Sequence, residues 1–122
     1  MTSACEATTR VLPGAAVIEL SGEVDGSAAA VLTDAYERAV TAGPESHDTV
    51  VLDFAAVDYI NSTGIALIVG LLGRARADGV AVAACGLSDH YREIFEITRL
   101  SDFMAIYADE ASARSAQEGR DR

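Results

Sequence analysis

Lysine is absent from this sequence, and positive charge as a whole is scarce. The 122 residues include nine basic side chains, all of them arginine, against nineteen acidic ones, which leaves a formal net charge of −10. Such a charge repels nucleic acid phosphates and anionic lipid headgroups. We therefore expect a protein that binds neither nucleic acid nor a membrane.

Long apolar runs and a secretory leader are also missing. The longest apolar run, residues 65–72, is interrupted by Gly70, whereas a membrane-spanning helix needs about 20 apolar residues. The opening segment MTSACEATTR contains no basic region followed by a hydrophobic one. Cys5 and Cys85 lie far apart without the spacing of metal ligands, which is typical of reduced thiols. These features predict a cytoplasmic protein.

Signatures of catalysis are few. The chain has no GxxxxGKS/T loop for a nucleoside triphosphate, and neither His47 nor His90 accompanies a GxSxG-type nucleophile elbow. Four acidic residues lie near predicted strand ends and could pair for general acid–base catalysis: Glu23, Asp25, Asp53 and Asp58. Capping and solvation account for such acids more simply, so we expect no catalytic residue, no cofactor and no metal site.

What the chain does contain favours one folded domain. Half of the residues are hydrophobic and 23% are charged, a composition that buries a core, and the length fits one domain. We predict a single domain over residues 1–122, with its compact part at about residues 8–115 between a frayed start and a polar tail.

Apolar segments alternate with helical patterns along the chain. The predicted strands are Thr8–Leu12, Ala15–Leu20, Thr49–Phe54, Val80–Cys85 and Phe103–Tyr107. A turn is predicted at Pro13-Gly14, a helix end at Gly43-Pro44, and helix starts at Asp25 or Ser27, Ser62 or Thr63, Ser88, and Asp109. The order ββαβαβαβα predicts an α/β fold with a mostly parallel or mixed sheet of about five strands and about four helices. Functional loops are then expected at the carboxyl ends of strands, at residues 21–25, 58–62 and 86–89.

Ser62 is the most informative candidate, because it follows a buried strand and opens a helix. Its hydroxyl can cap the helix. It can also accept a phosphoryl group, which carries a charge of about −1.5 to −2. A helix N-terminus tolerates that charge because its free amides and dipole favour anions. The spacing alone leaves both roles open.

The same predicted helix carries more apolar side chains than one core-facing stripe needs. At about 100° per residue, the core-facing stripe contains Ile65, Ile68, Val69 and Leu72. Leu67 and Leu71 fall on a different stripe. We expect both leucines to be partly exposed beside Ser62, as partner contacts, unless a neighbouring helix covers them.

Three blocks of the sequence resemble the STAS domain and, more narrowly, the bacterial anti-sigma factor antagonists. They are LSGEVDGSAA, then VVLDF followed by INSTGIALI, then FEITRLSDFMAIYADEASA, in the family's order and across roughly residues 8–115. The resemblance implies a protein that binds an anti-sigma factor with serine kinase activity and thereby releases a sigma factor. It also implies that the kinase, using Mg-ATP, phosphorylates the antagonist and ends the binding, and that a PP2C-type phosphatase resets it.

The family's motifs assign roles to individual residues. The resemblance places the phosphoacceptor at Ser62, with Thr63 as the alternative, and places Glu23 and Asp25 in the family's G-E-L/V-D block. With the two leucines, the expected partner surface consists of Asp25, Glu23, Asn61, Ser62, Thr63, Gly64, Leu67 and Leu71.

The chain departs from the family at Asn61, where the family often has Asp. Asn keeps the size and the hydrogen-bonding carbonyl that the turn needs, but it lacks the negative charge, so we expect an altered kinase choice or phosphorylation rate.

Two further hypotheses are alternatives to the phosphorylation switch. One is a non-switching STAS scaffold subunit of a stressosome or of an ABC transport complex, and the other is an enzyme that uses Glu23, Asp25 and Asp58.

Overall fold

The strands of the sheet lie side by side in the order in which they occur along the chain. A computed structural model describes residues 4–12, 15–41, 49–113 and 115. The strands are β1 (Glu6–Leu12), β2 (Ala15–Val24), β3 (Thr49–Ile60), β4 (Ala81–Cys85) and β5 (Ala105–Tyr107). β1 is antiparallel to β2, and every other neighbouring pair is parallel. The mixed five-stranded α/β sheet predicted from the sequence is therefore confirmed.

Helices occupy the predicted places between the strands. After a short 3₁₀ turn (Gly26–Ala28) come α1 (Ala29–Thr41), α2 (Ser62–Ala77), α3 (Asp89–Ile97) and a helical segment α4 at residues 110–113. α4 follows Asp109, whose carboxylate accepts a hydrogen bond from the backbone N–H of Ser112 at 2.8 Å. The part of the chain that the structure describes contains no helix with both the length and the hydropathy to cross a membrane. The predicted turns at Pro13-Gly14 and Gly43-Pro44, and His47, lie outside the described residues.

The main core lies between one face of the sheet and α1, α2 and α3. Its largest fully buried side chains are Ile18, Leu20, Tyr36, Leu52, Ile68 and Phe95. A smaller cluster on the opposite face joins Val17, Val51 and Cys85 to Ala113 of α4. Because both faces are covered, the apolar run TVVLDF is buried on both sides, as its lack of alternation predicts.

Two strands continue beyond their predicted ends. β2 runs to Val24 and β3 to Ile60, and these two residues are register partners. Most of the residues predicted as loops at 21–25 and 58–62 are therefore strand, whereas residues 86–88 form the predicted loop. β4 pairs with β3 only as far as Asp53, so residues 55–60 of β3 have β2 as their one strand neighbour among the described residues.

The orientation of α2 differs from the prediction. Leu71 is 7% exposed and belongs to the main core, so the expectation that it is a surface residue is wrong. Val69, placed in the core by its spacing, is 51% exposed. Leu67 is half-buried, in agreement with partial exposure. Because residues 65–72 are apolar on all sides, docking against α1 and the sheet decides which face of the helix is buried, and periodicity does not.

Candidate functional site

The carboxyl ends of β2 and β3 bring the predicted site residues to one edge of the sheet. The backbone N–H of Asn61 donates to the carbonyl of Val24 at 3.2 Å, so Asp25 and Ser62 follow neighbouring strand ends. Asp25 caps the 3₁₀ turn, as predicted, and accepts hydrogen bonds from the Ser27 hydroxyl at 2.5 Å and the Ser27 backbone N–H at 2.9 Å. These bonds lower the pKa of the Asp25 carboxyl and keep it ionised at neutral pH.

Gly64 allows α2 to begin against the end of β2. A Cβ at this position would lie 2.0 Å from the carbonyl oxygen of Val24, closer than any real contact. Nearby, a Cβ at Gly26 would lie 3.4 Å from the methyl carbon of Thr63. Glycine therefore brings the first turn of α2 and the turn after β2 together.

The N-cap of α2 is Asn61, so the prediction that Ser62 or Thr63 caps this helix is wrong. The side-chain oxygen of Asn61 accepts a hydrogen bond from the backbone N–H of Gly64 at 2.8 Å. Asn is among the preferred capping residues, and the signal was present in the sequence one position earlier than expected. Ser62 is consequently the first helical residue and is exposed, and its hydroxyl is not needed as the cap.

The exposed Ser62 lies at the N-terminus of α2, where the first backbone amides have no partner within the helix. Such a helix N-terminus stabilises an anion through those amides and through the helix dipole. Thr63 is exposed as well, but its methyl group faces Gly26. Both Ser62 and Thr63 are therefore exposed residues in the first turn of α2.

Of the remaining predicted carboxylates, Glu23 and Asp58 lie near the site, whereas Asp53 lies beside Glu19 and Glu110. Glu23 is half-buried on β2 opposite Tyr59, and Asp58 is exposed on β3. A general acid at neutral pH needs a raised pKa, whereas the pKa of Asp25 is lowered. The cavity beside this part of β3 is small, about 120 Å³. These observations weigh against the enzyme hypothesis.

Acidic side chains that could hold a metal ion come together on three different elements. Carboxylate oxygens of Glu19, Asp53 and Glu110 lie within 4.8 Å of one another. The guanidinium of Arg10 pairs with Glu110 and, at 2.6 Å, with Glu19. An arginine thus already supplies positive charge to this cluster, which sequence spacing does not reveal because its members are far apart in the chain.

A large groove of the described structure lies apart from the predicted site. It measures about 910 Å³ and runs beside α2, β4 and residues 98–104. Its walls include the exposed Val69 and Phe103 and the charged Arg76 and Arg99. Neither Asp25 nor residues 60–64 line it.

Comparisons with known proteins agree with this fold. The STAS domain family matches residues 6–113. An anti-sigma-B factor antagonist of Listeria monocytogenes is 33% identical over 91 residues, which cover 73% of this chain and 75% of that protein.

Solved structures share the fold at lower identity. An anti-sigma factor antagonist from Mycobacterium paratuberculosis has a TM-score of 0.73 at 22% identity, covering 97% of this chain and 99% of the other. The Bacillus cell-fate determinant SpoIIAA, in its phosphorylated form, has a TM-score of 0.65 at 21% identity, covering 93% and 99%. The sequence match and the shared fold together make this chain a member of the STAS domain family, within its anti-sigma factor antagonists.

Proposed function

We propose that this protein is a cytoplasmic, non-enzymatic antagonist switched by phosphorylation of Ser62. With Ser62 unmodified, it binds an anti-sigma factor that is also a serine kinase, and a sigma factor is released. Phosphorylation of Ser62 ends the binding, and a PP2C-type phosphatase restores it. The observation that carries this proposal is the exposed hydroxyl of Ser62 at the first position of α2, beside an independent cap.

The chemistry of the site supports a switch that leaves the fold intact. A phosphoryl group at the start of α2 meets the favourable end of the helix dipole, so the domain itself tolerates it. The contact with the partner does not tolerate the phosphoryl group, because the group brings about two negative charges and tightly bound water into a surface that must be desolvated. The protein already has a net charge of −10. A tenfold loss of affinity requires only about 1.4 kcal/mol.

The partner surface proposed here surrounds Ser62 at the ends of β2 and β3. It consists of Glu23, Asp25, Asn61, Ser62, Thr63, Gly64 and Leu67. Leu71 leaves this set because its side chain is buried in the main core. We expect Asp25→Ala to weaken partner binding or phosphorylation while the domain still unfolds cooperatively, since the carboxylate of Asp25 only braces a short exposed turn.

The relatives support the kind of partner. The Listeria protein is an antagonist of an anti-sigma-B factor, and the Bacillus protein occurs in a phosphorylated form.

One observation favours a second candidate, a non-switching STAS scaffold in a stressosome or an ABC transport complex. Asn61 replaces the acid that often precedes the phosphoacceptor in this family, and a scaffold has no need of that acid.

The experiment that tests the switch begins with pull-down of the protein from its own cells, followed by mass spectrometry of partners and phosphosites. The recovered partner is then titrated with wild type, Ser62→Ala, Ser62→Asp and the phosphorylated protein. We expect Ser62→Ala to bind like wild type and the phosphorylated form to lose at least tenfold. Ser62→Asp should fall between them, because it carries one charge and a smaller hydration shell.

Thr63→Ala serves as the matched control for the neighbouring hydroxyl and should still be phosphorylated. Equal affinities for all four proteins would exclude the switch and favour the scaffold. Phosphate found only on Thr63 would mean that Thr63, and not Ser62, is the switch residue.

A further inference from the structure

Tyr91 reaches from α3 to the backbone that carries Ser62. Its phenol oxygen accepts a hydrogen bond from the backbone N–H of Ile60 at 3.0 Å. Ile60 is the last residue of β3 and stands two positions before Ser62. β4 has stopped pairing with β3 at Asp53, so at Ile60 a side chain of α3 supplies the acceptor that a neighbouring strand would otherwise supply.

The tyrosine is itself firmly held. Its backbone N–H donates to the hydroxyl of Ser88, the N-cap of α3, at 3.3 Å. Its half-buried ring packs against the main core and contacts the ring of His90, with centroids 4.9 Å apart. The phenol oxygen therefore belongs to a side chain that is anchored in the first turn of α3 and packed on the main core.

Apolar packing and this hydrogen bond act together, because Ile60 is itself buried in the main core. A cavity of about 120 Å³ separates the end of β3 from the start of α3, and its lining includes Val57, Ile60, Leu87 and Tyr91. The hydrogen bond from Ile60 to Tyr91 therefore joins two elements whose side chains leave an open space beside it.

We propose that Tyr91 is a positioning residue for Ser62, because its hydroxyl fixes the backbone immediately before the Asn61 cap. The presentation of Ser62 to the kinase then depends on α3 as well as on the two strand ends. This inference rests on the proposed function of Ser62. It adds a residue that lies 31 positions along the chain from the amide it holds and that belongs to none of the sequence blocks described above.

The test replaces only the hydroxyl, with Tyr91→Phe. Amide hydrogen exchange, followed residue by residue by NMR, should accelerate about five- to tenfold at Ile60, as expected for the loss of one hydrogen bond. The change should be confined to residues 60–62, and the melting temperature should stay within a few degrees of wild type. Tyr107→Phe, on the opposite face of the sheet, is the matched control and should leave exchange at Ile60 unaltered.

The functional readout is Ser62 phosphorylation by the kinase recovered in the pull-down. We expect Tyr91→Phe to lower kcat several-fold with little change in KM, because the partner surface remains while the orientation of the hydroxyl is less defined. Unaltered exchange at Ile60, unaltered kcat, or faster exchange throughout β2 and β3 would each overturn the positioning role. If wild-type Ser62 is not phosphorylated at all, the proposed function fails, and the exchange measurement alone decides whether Tyr91 holds this backbone.

Discussion

The two halves of β3 are built differently although they belong to one continuous strand. Residues 49–53 lie between β2 and β4, and Val50, Val51 and Leu52 have no exposed surface. Residues 55–60 pair with β2 alone among the described strands, and Tyr59 is 50% exposed. The first half is buried on both faces, whereas among residues 55–60 only Ile60 is buried, and hydrogen bonds to single partners add to its packing.

This difference explains how a modifiable serine can stand so near a tightly packed core. The end of β3 is fixed by the bonds from Asn61 to Val24 and from Ile60 to Tyr91, and by the close fit of Gly64. Each of these contacts acts on the backbone and leaves the outer surface free. A charge added at Ser62 therefore enters solvent and not the core.

The largest expected effect comes from truncating the buried half. Leu52→Ala should lower the free energy of unfolding by about 2–5 kcal/mol, because the deleted side chain leaves a cavity in the main core. Tyr59→Ala, in the exposed half, should change it by only about 0.5 kcal/mol. Urea unfolding followed by circular dichroism measures both. Equal losses for the two variants would mean that the two halves are not held differently.

The same substitution at two glycines of α2 should have opposite effects. Gly64→Ala should cost about 1–3 kcal/mol, because its new methyl group would collide with the backbone of β2. Gly70→Ala is the matched control, since a Cβ there meets nothing within 4 Å, and it should stabilise the helix by about 0.5–1 kcal/mol. Urea unfolding of both variants decides the matter, and a stabilised Gly64→Ala would contradict the close approach of α2 to β2.

A smaller effect is expected at the cap itself. Asn61→Ala should cost about 1 kcal/mol, because the backbone N–H of Gly64 loses its acceptor. Asn61→Asp keeps that acceptor and adds charge at the favourable end of α2, so it should gain about 0.3–1 kcal/mol. The gain should shrink in high salt, which screens the interaction with the helix dipole. Thermal melts at two salt concentrations test this, and identical melting temperatures for the two variants would exclude the capping role.

Features that depend on a few adjacent residues were predicted well from the sequence. The buried run TVVLDF contains the part of β3 that lies between β2 and β4, and Asp25 and Ser88 cap the elements that follow them, although the cap of α2 is Asn61, one residue before the predicted Ser62. In each case the physical cause is local, either continuous apolarity or a side-chain oxygen two or three residues before an unpaired amide.

Features that depend on distant partners were missed. β2 and β3 continue past their apolar runs because each is the hydrogen-bonding partner of the other. Leu71 is buried and Val69 is exposed, the reverse of the prediction, because packing against the sheet and α1 determines which face of this almost uniformly apolar helix is buried. Tyr91 lies in the first turn of α3, and nothing near it in the chain indicates that its hydroxyl meets the end of β3.

Cys85 is buried at the end of β4, so its chemical reactivity reports local or global unfolding of the domain. Burial, together with the nearby Asp53, raises the pKa of this thiol to about 12. The reactive species is the thiolate, so the folded protein should resist alkylating reagents at neutral pH. Once the chain opens, the thiol returns to an ordinary pKa of about 8.5 and reacts. The labelling rate of Cys85, separated from that of Cys5 by mass spectrometry of peptides, therefore reports how often the chain opens without an engineered cysteine, in wild type and in each variant above.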